Sequence, residues 1–163
     1  CGKSSDMVFL SKKCKHLFGC ELSEIACRDF FTENNIDFNE KTEGDFTVFS
    51  GSNISLYCGD IFNLPDTIEV DIIYDRASLI ALPTDIRLKY VEKIKELKAS
   101  YQFIITLEFD NSQIGPPFSI DDSNIQDYYA STYEISHRKR LEMPVEDRFE
   151  NVSFMFGNLF CLS

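Results

Sequence analysis

The sequence predicts an α/β fold, with a mostly parallel sheet that carries an antiparallel edge and helices on both faces. Three observations carry this expectation. Apolar runs of strand length alternate with amphipathic helical stretches along the chain. The run at 70–74 stops abruptly at Asp75-Arg76, and small and apolar residues then lead away to Pro83. Two strand-like runs, 133–141 and 152–162, follow one another at the end and read as a closing antiparallel pair. In an open α/β sheet, ligands bind beyond the carboxyl ends of the strands. Asp75-Arg76 therefore marks where chemistry is expected if its strand is central. Neighbours on a strand point to opposite faces, so the two charges do not decorate one surface. The alternative is a solvated strand end with a local ion pair.

Taken in order, 4–13 reads as a helix with Met7, Phe9 and Leu10 on its apolar face, an early acid and late lysines, which suits the helix dipole. A short strand at 16–22 ends in Glu21. Ser23 caps a helix running to about Asn34-Asn35, with Ile25, Ala26, Phe30 and Phe31 facing the core. Residues 36–45 are polar and acidic and read as a loop. Strands at 46–49 and 54–58 flank Ser50-Gly51-Ser52-Asn53, which has hairpin turn chemistry. After a turn at 60–65 comes the strand at 70–75. The helix at 84–99 turns Ile86, Tyr90, Ile94 and Leu97 inward, and 101–109 is a buried strand. Gly115-Pro116-Pro117-Phe118 is a loop, since consecutive prolines do not fit a helix or a central strand. A short helix at 121–129 precedes the closing strands, which enclose the acidic segment 142–150.

At 163 residues the chain is expected to be one domain, 1–163. Fifteen Phe and no Trp point to a Phe-rich core. The net charge of −11 argues against a nucleic-acid partner and against an anionic membrane surface. The one basic cluster, His137-Arg138-Lys139-Arg140, reads as a solvated strand or loop. Six cysteines at 1, 14, 20, 27, 58 and 161 form no C-x-x-C pair, and no zinc-ligand spacing involves either histidine, so no metal is expected. Cys20, Cys58 and Cys161 lie in apolar runs, the pattern of buried reduced thiols, and a cytoplasmic compartment follows. Two sequons, at Asn53 and Asn151, occur without anything resembling a signal peptide. No apolar stretch reaches transmembrane length.

Glu21 is the next candidate. An acid at the end of a strand in a nucleotide-binding half-sheet can accept from both ribose hydroxyls. The turn available before the first helix, Cys1-Gly2-Lys3-Ser4, is neither G-x-G-x-x-G nor a phosphate-binding loop. A plain solvated carboxylate beside a helix start stays open as the alternative.

Cys1-Gly2-Lys3-Ser4-Ser5-Asp6-Met7, Gly19-Cys20-Glu21-Leu22-Ser23-Glu24, Phe30-Phe31 and Asn53-Ile54-Ser55-Leu56-Tyr57-Cys58 together resemble the thiopurine S-methyltransferase family. So do Asp60-Ile61-Phe62, Asp71-Ile72-Ile73-Tyr74-Asp75-Arg76 and Gly115-Pro116-Pro117-Phe118, in register over nearly the whole chain. The resemblance implies a class I methyltransferase (Rossmann-like) fold, S-adenosylmethionine as methyl donor with S-adenosylhomocysteine as product, and a small aromatic or heterocyclic thiol as acceptor. It implies that Glu21 binds the ribose, that Asp60 and Ile61 flank the adenine, and that Gly2 lies in the loop passing the methionine part. It further implies that Arg76 closes over the cofactor and faces the acceptor, with Arg148 as a second arginine near the acceptor. For Arg148, an ion pair with Glu146, Asp147 or Glu150 stays open.

The sequence departs from the family pattern at its start. Family members carry an aromatic-rich segment and the first, central strand directly before the Cys-Gly-Lys turn. The chain opens at that turn, so an N-terminally incomplete domain is expected, or one whose empty slot another segment fills. The implied reaction is direct displacement at the methyl carbon by a thiolate, which requires alignment and a cation for the acceptor rather than a general base, so no residue is assigned as catalytic. A monomer is expected. Two other functions stay open: a non-catalytic S-adenosylmethionine-binding or regulatory module, and a nucleotide-dependent oxidoreductase, disfavoured by the missing three-glycine turn.

Overall fold

The structure is a computed structural model and describes residues 1–65, 67–111, 114–149 and 151–163. The chain divides into two compact units, Cys1–Pro65 and Asp66–Ser163, each with its own four-stranded sheet.

The first unit opens with α1 (Ser5–Ser11), started by Ser4, whose hydroxyl accepts from the Asp6 N–H. β1 (Leu17–Glu21) follows, then α2 (Glu24–Glu33), capped by the Ser23 hydroxyl as the sequence predicts. β2 (Asn39–Glu43), β3 (Phe46–Gly51) and β4 (Ile54–Cys58) complete a sheet of order β1-β4-β3-β2. The loop expected over 36–45 is thus partly a strand. β2 is exposed at every position and pairs antiparallel with β3, so it carries no apolar alternation that could announce it. Ser52-Asn53 forms the two-residue hairpin turn, with Ser52 at a φ of 54°. The Asn53 amide donates to the Ser11 and Cys14 carbonyls and ties the turn to the end of α1.

The core of this unit is Phe-rich, as composition suggests. Cys27, Phe30 and Phe31 of α2 pack with Met7, Phe49, Ile54 and Leu56, and Phe31 stacks on Phe38 at 5.0 Å. Ile25, expected inside, is 73% exposed. The buried stripe is Cys27-Phe30-Phe31, spaced i, i+3, i+4, and a residue at 25 falls off that face. Cys20 and Cys58 are only partly buried, and so is Cys161 of the second unit, whereas Cys27 is fully enclosed. All six cysteines are free thiols.

The second unit contains β5 (Ile72–Arg76), the single turn α3 (Ser78–Ala81), α4 (Thr84–Glu96), β6 (Tyr101–Phe109), α5 (Asp122–Tyr129), β7 (Ile135–Glu142) and β8 (Met155–Leu162). Its strand order is β5-β6-β8-β7. β5 begins two residues later than expected and lies at the end of this order, not at its centre. Among the described residues it pairs only with β6, in parallel. Among the described residues β1 likewise pairs only with β4. Both sheets are mixed, with parallel ladders at β1-β4 and β5-β6 and antiparallel ladders elsewhere, so antiparallel pairing reaches further than a single edge.

On α4 the buried stripe is Arg87-Tyr90-Val91-Ile94, while Ile86, expected inside, is 37% exposed. Asp121 and Asn124 form a reciprocal capping box that starts α5. Arg138, Lys139 and Arg140 lie exposed on β7, as their reading as a solvated strand anticipates. His137 lies exposed on the same strand, its ring stacked on Phe160 at 4.5 Å. Among the described residues, no helix is long and apolar enough to cross a membrane.

Candidate cofactor and acceptor sites

Each unit carries one part of the expected machinery. In the first, Glu21 ends β1 with its carboxylate turned back on the chain. Oε2 accepts from the Gly2 N–H at 2.6 Å and from the Cys1 nitrogen at 3.0 Å, and Oε1 accepts from the Ser23 N–H at 2.9 Å. Gly2 takes a φ of 58°, a left-handed conformation that glycine adopts without a Cβ penalty. Burial pushes this carboxyl up, but the N–H bonds from Ser23 and Gly2 pull the other way and hold its pKa below the ordinary range. Glu21 is therefore an anion at neutral pH.

The Glu21 carbonyl accepts from the Gly59 N–H at 2.9 Å, which brings the end of β1 beside the turn carrying Asp60 and Ile61. A Cβ on Gly59 would stand 2.6 Å from the Phe46 ring, so the turn is tight by necessity. Asp60 caps the 3-10 turn Ile61–Asn63, its Oδ1 accepting from the Phe62 N–H at 3.0 Å. Gly2, Glu21, Asp60 and Ile61 are thus assembled at one end of the first unit's sheet. Two carboxylates there retain lone pairs for further donors, which is the acceptor set that ribose hydroxyls and an adenine amino group require.

In the second unit, Asp75 and Arg76 point to opposite faces, as the strand alternation predicts. Arg76 is exposed at the end of β5. Asp75 is 4% exposed and belongs to the framework, not to chemistry. Its carboxylate accepts from the Tyr90 hydroxyl at 2.9 Å and from the N–H groups of Ser78 and Leu79 at 3.1 and 3.4 Å. It thereby caps α3, whose own N-cap, Ala77, sits at a φ of 77° and offers no side-chain acceptor. Burial raises the Asp75 pKa above the ordinary range, with the Tyr90, Leu79 and Ser78 bonds pulling the other way.

Beside α3 lies a cavity of about 380 Å³, lined by Ala77, Ile80, Ala81, Leu107, Pro116, Pro117 and Arg148. Its walls are apolar, and among the described residues the one charged lining residue is Arg148. The guanidinium is 63% exposed and its Nε donates to Glu146 at 2.9 Å. The ion pair that sequence reasoning kept open is therefore present, on a residue that also lines the cavity. Glu150, the other partner considered, lies outside the described residues. Arg76 is not among the lining residues. Sequence reading identified the Gly115-Pro116-Pro117-Phe118 stretch as a loop without assigning it a wall of a cavity. The small residues of 77–81 were the available signal, since small side chains after a strand leave room for a ligand.

The family model for thiopurine S-methyltransferase (TPMT) matches residues 1–161. The chain belongs to the thiopurine S-methyltransferase family. A thiopurine S-methyltransferase from Bordetella petrii is 41% identical over 139 residues, which cover 82% of the chain and 64% of that relative. The chain thus spans less than two thirds of that relative's length. Among solved structures, TehB from Haemophilus influenzae superposes with a TM-score of 0.65 at 15% identity, covering 99% of the chain and 54% of TehB. Magnesium protoporphyrin IX methyltransferase from Synechocystis PCC 6803, crystallised with bound SAH, gives 0.62 at 14% identity and covers 99% and 70%. The fold is therefore that of the class I methyltransferases.

Proposed function

We propose that the protein is an S-adenosylmethionine-dependent S-methyltransferase acting on a small aromatic or heterocyclic thiol of the thiopurine kind. The observation that carries this reading is the apolar cavity of about 380 Å³ with Arg148 on its wall. An aromatic ring finds hydrocarbon walls there, and an anionic sulfur finds a guanidinium. Family membership and the two acids at Glu21 and Asp60 support the donor half of the reading.

When bound, S-adenosylmethionine supplies an electrophilic methyl group on a sulfonium. Glu21 would hold the ribose hydroxyls and Asp60 the adenine amino group, with Ile61 against the adenine and the Gly2 turn passing the methionine part. Arg76 would close over the donor and face the acceptor. Arg148 holds the acceptor as its thiolate. Aromatic thiols are acidic enough to be largely ionised near neutral pH, so the site needs alignment and a cation rather than a base. The exposed Glu146 pair holds Arg148 only weakly, since surface ion pairs contribute at most about 1 kcal/mol. An arriving thiolate can therefore compete for it. The working form in this reading is a cytoplasmic monomer with 1–163 as a single methyltransferase domain.

Arg148→Ala should raise the acceptor KM, more for an anionic thiol than for a neutral one of the same size, and leave S-adenosylhomocysteine affinity within about twofold. Arg76→Ala should impair both donor binding and turnover. Equal effects of Arg148→Ala on the charged and neutral acceptors would reduce that arginine to its pair with Glu146.

A further inference from the structure

The second unit holds a buried cation that the proposed chemistry does not use. Arg87 occupies a core position of α4 and is 5% exposed. Its described partners are carbonyls and a hydroxyl. Nε donates to the Leu79 and Leu82 carbonyls at 3.2 and 3.1 Å, Nη2 to the Leu82 carbonyl at 2.7 Å, and Nη1 to the Tyr128 hydroxyl at 3.4 Å. The guanidinium also lies over the Phe118 ring, 5.2 Å from its centroid.

Burying a guanidinium is costly unless its donors are satisfied, and a leucine would fill this position of the helix without that cost. What the arginine adds is a grip on α3. A single helical turn does not hold itself together, and its last carbonyls lack intrahelical donors. Arg87 takes the carbonyls of Leu79 and Leu82. The Ile80 carbonyl between them accepts from the Phe118 N–H at 2.6 Å, and Phe118 is the residue on which Arg87 stacks. One side chain thus links the end of α3 to the loop that follows Pro116-Pro117. Ile80 and Ala81 form one wall of the cavity, and Pro116 and Pro117 form another.

We infer that Arg87 is a positioning residue that sets the width of the acceptor cavity by fixing α3 against the 115–118 loop. It thereby sets which size of aromatic thiol the enzyme accepts. This rests on the reading that the cavity takes the acceptor. Arg87 touches neither substrate nor donor in this scheme and acts through the walls. A lysine would keep the charge but lose the planar fork that spans two carbonyls and stacks on a ring.

The test uses the full encoded chain, thiophenol as a small acceptor and a thiopurine as a large one. Arg87→Lys should raise the thiopurine KM by about 5- to 20-fold, with a smaller rise for thiophenol, while kcat and S-adenosylhomocysteine affinity stay within about twofold. Unchanged KM for both acceptors in a folded variant overturns the inference. So does a uniform fall in kcat and in affinity for donor and acceptor, which is what mere loss of stability produces. If Arg87→Lys does not fold, Phe118→Leu removes the stacked ring and decides by the same pattern. Ala81→Phe narrows the cavity directly and separates the two ideas. If it leaves acceptor KM unchanged, the cavity reading fails and the inference with it. If it raises KM while Arg87→Lys does not, only the positioning role falls.

Discussion

Replacing Asp75 by alanine removes the acceptor for three donors at once. The Tyr90 hydroxyl and the N–H groups of Ser78 and Leu79 lose their partner in a place where the carboxylate itself is 4% exposed. A buried donor left unsatisfied costs about 1–3 kcal/mol. Water entering the vacated space recovers part of this, so a net loss of about 3–5 kcal/mol is expected, a large share of a typical domain's stability. Urea unfolding followed by circular dichroism reads this as a lower midpoint with an unchanged slope. Asp75→Asn keeps one acceptor oxygen and offers an N–H to the Tyr90 hydroxyl, so it should lose no more than about 1 kcal/mol. The pH dependence carries a definite sign. Because burial raises the folded-state pKa above the usual 3.8, the carboxyl's stabilising contribution is complete below that value and is lost as pH rises through the raised one. The margin of the native chain over Asp75→Asn should therefore shrink from acid to neutral pH. A loss below about 1 kcal/mol for Asp75→Ala, or equal losses for alanine and asparagine, would refute the assignment of Asp75 to the framework.

Glu21→Ala should weaken S-adenosylhomocysteine binding by about 1–3 kcal/mol, since two hydroxyls lose a charged partner; unchanged affinity in a folded variant by isothermal titration would remove Glu21 from the donor site. Glu21→Gln should also flatten the acid limb of the stability curve. With its folded pKa held below the ordinary 4.5, the glutamate contributes stability present above 4.5 that is lost as pH falls through the lowered value. Phe31→Ala should cost about 3–5 kcal/mol by leaving a cavity among Phe30, Phe38 and Phe49, measurable by urea unfolding.

The elements that a one-dimensional reading recovers are those whose own side chains declare them. β6 matches its predicted bounds because its aromatic and β-branched residues declare a strand, although its most buried face carries Gln102 and Thr106 beside Ile104. Ser23 announces its helix by capping chemistry. β2 does not announce itself, because an edge strand of Asn, Glu, Lys and Thr draws its order from pairing with β3 and not from burial. The inward faces of α2 and α4 are legible in Phe30, Phe31, Tyr90 and Ile94, which are buried as expected, whereas Ile25 and Ile86 are not. On α4 the core position is held by Arg87, a charged residue that apolar patterning does not mark, and Ile86 lies one position off the stripe.

The candidate site divides along the same line. Glu21 ends β1, Asp60 follows β4, and both match family motifs, so both are candidates by number from the sequence alone. Asp75 was singled out for the right stretch, yet its burial and its capping of α3 depend on α4 folding over it. The cavity is the least legible part, since 77–81, 107, 116–117 and 148 are separated by long stretches of sequence and meet only in the folded unit.

Methyl transfer to a small aromatic thiol is decided by following the methyl group itself. The full encoded chain is incubated with methyl-labelled S-adenosylmethionine and an aromatic thiol, and both products are quantified. Label should appear on the thiol sulfur with one S-adenosylhomocysteine formed per methyl transferred, at a rate that Arg148→Ala reduces. Binding of S-adenosylhomocysteine by the folded protein, with no labelled thioether above the enzyme-free rate for any aromatic thiol, would contradict that transfer.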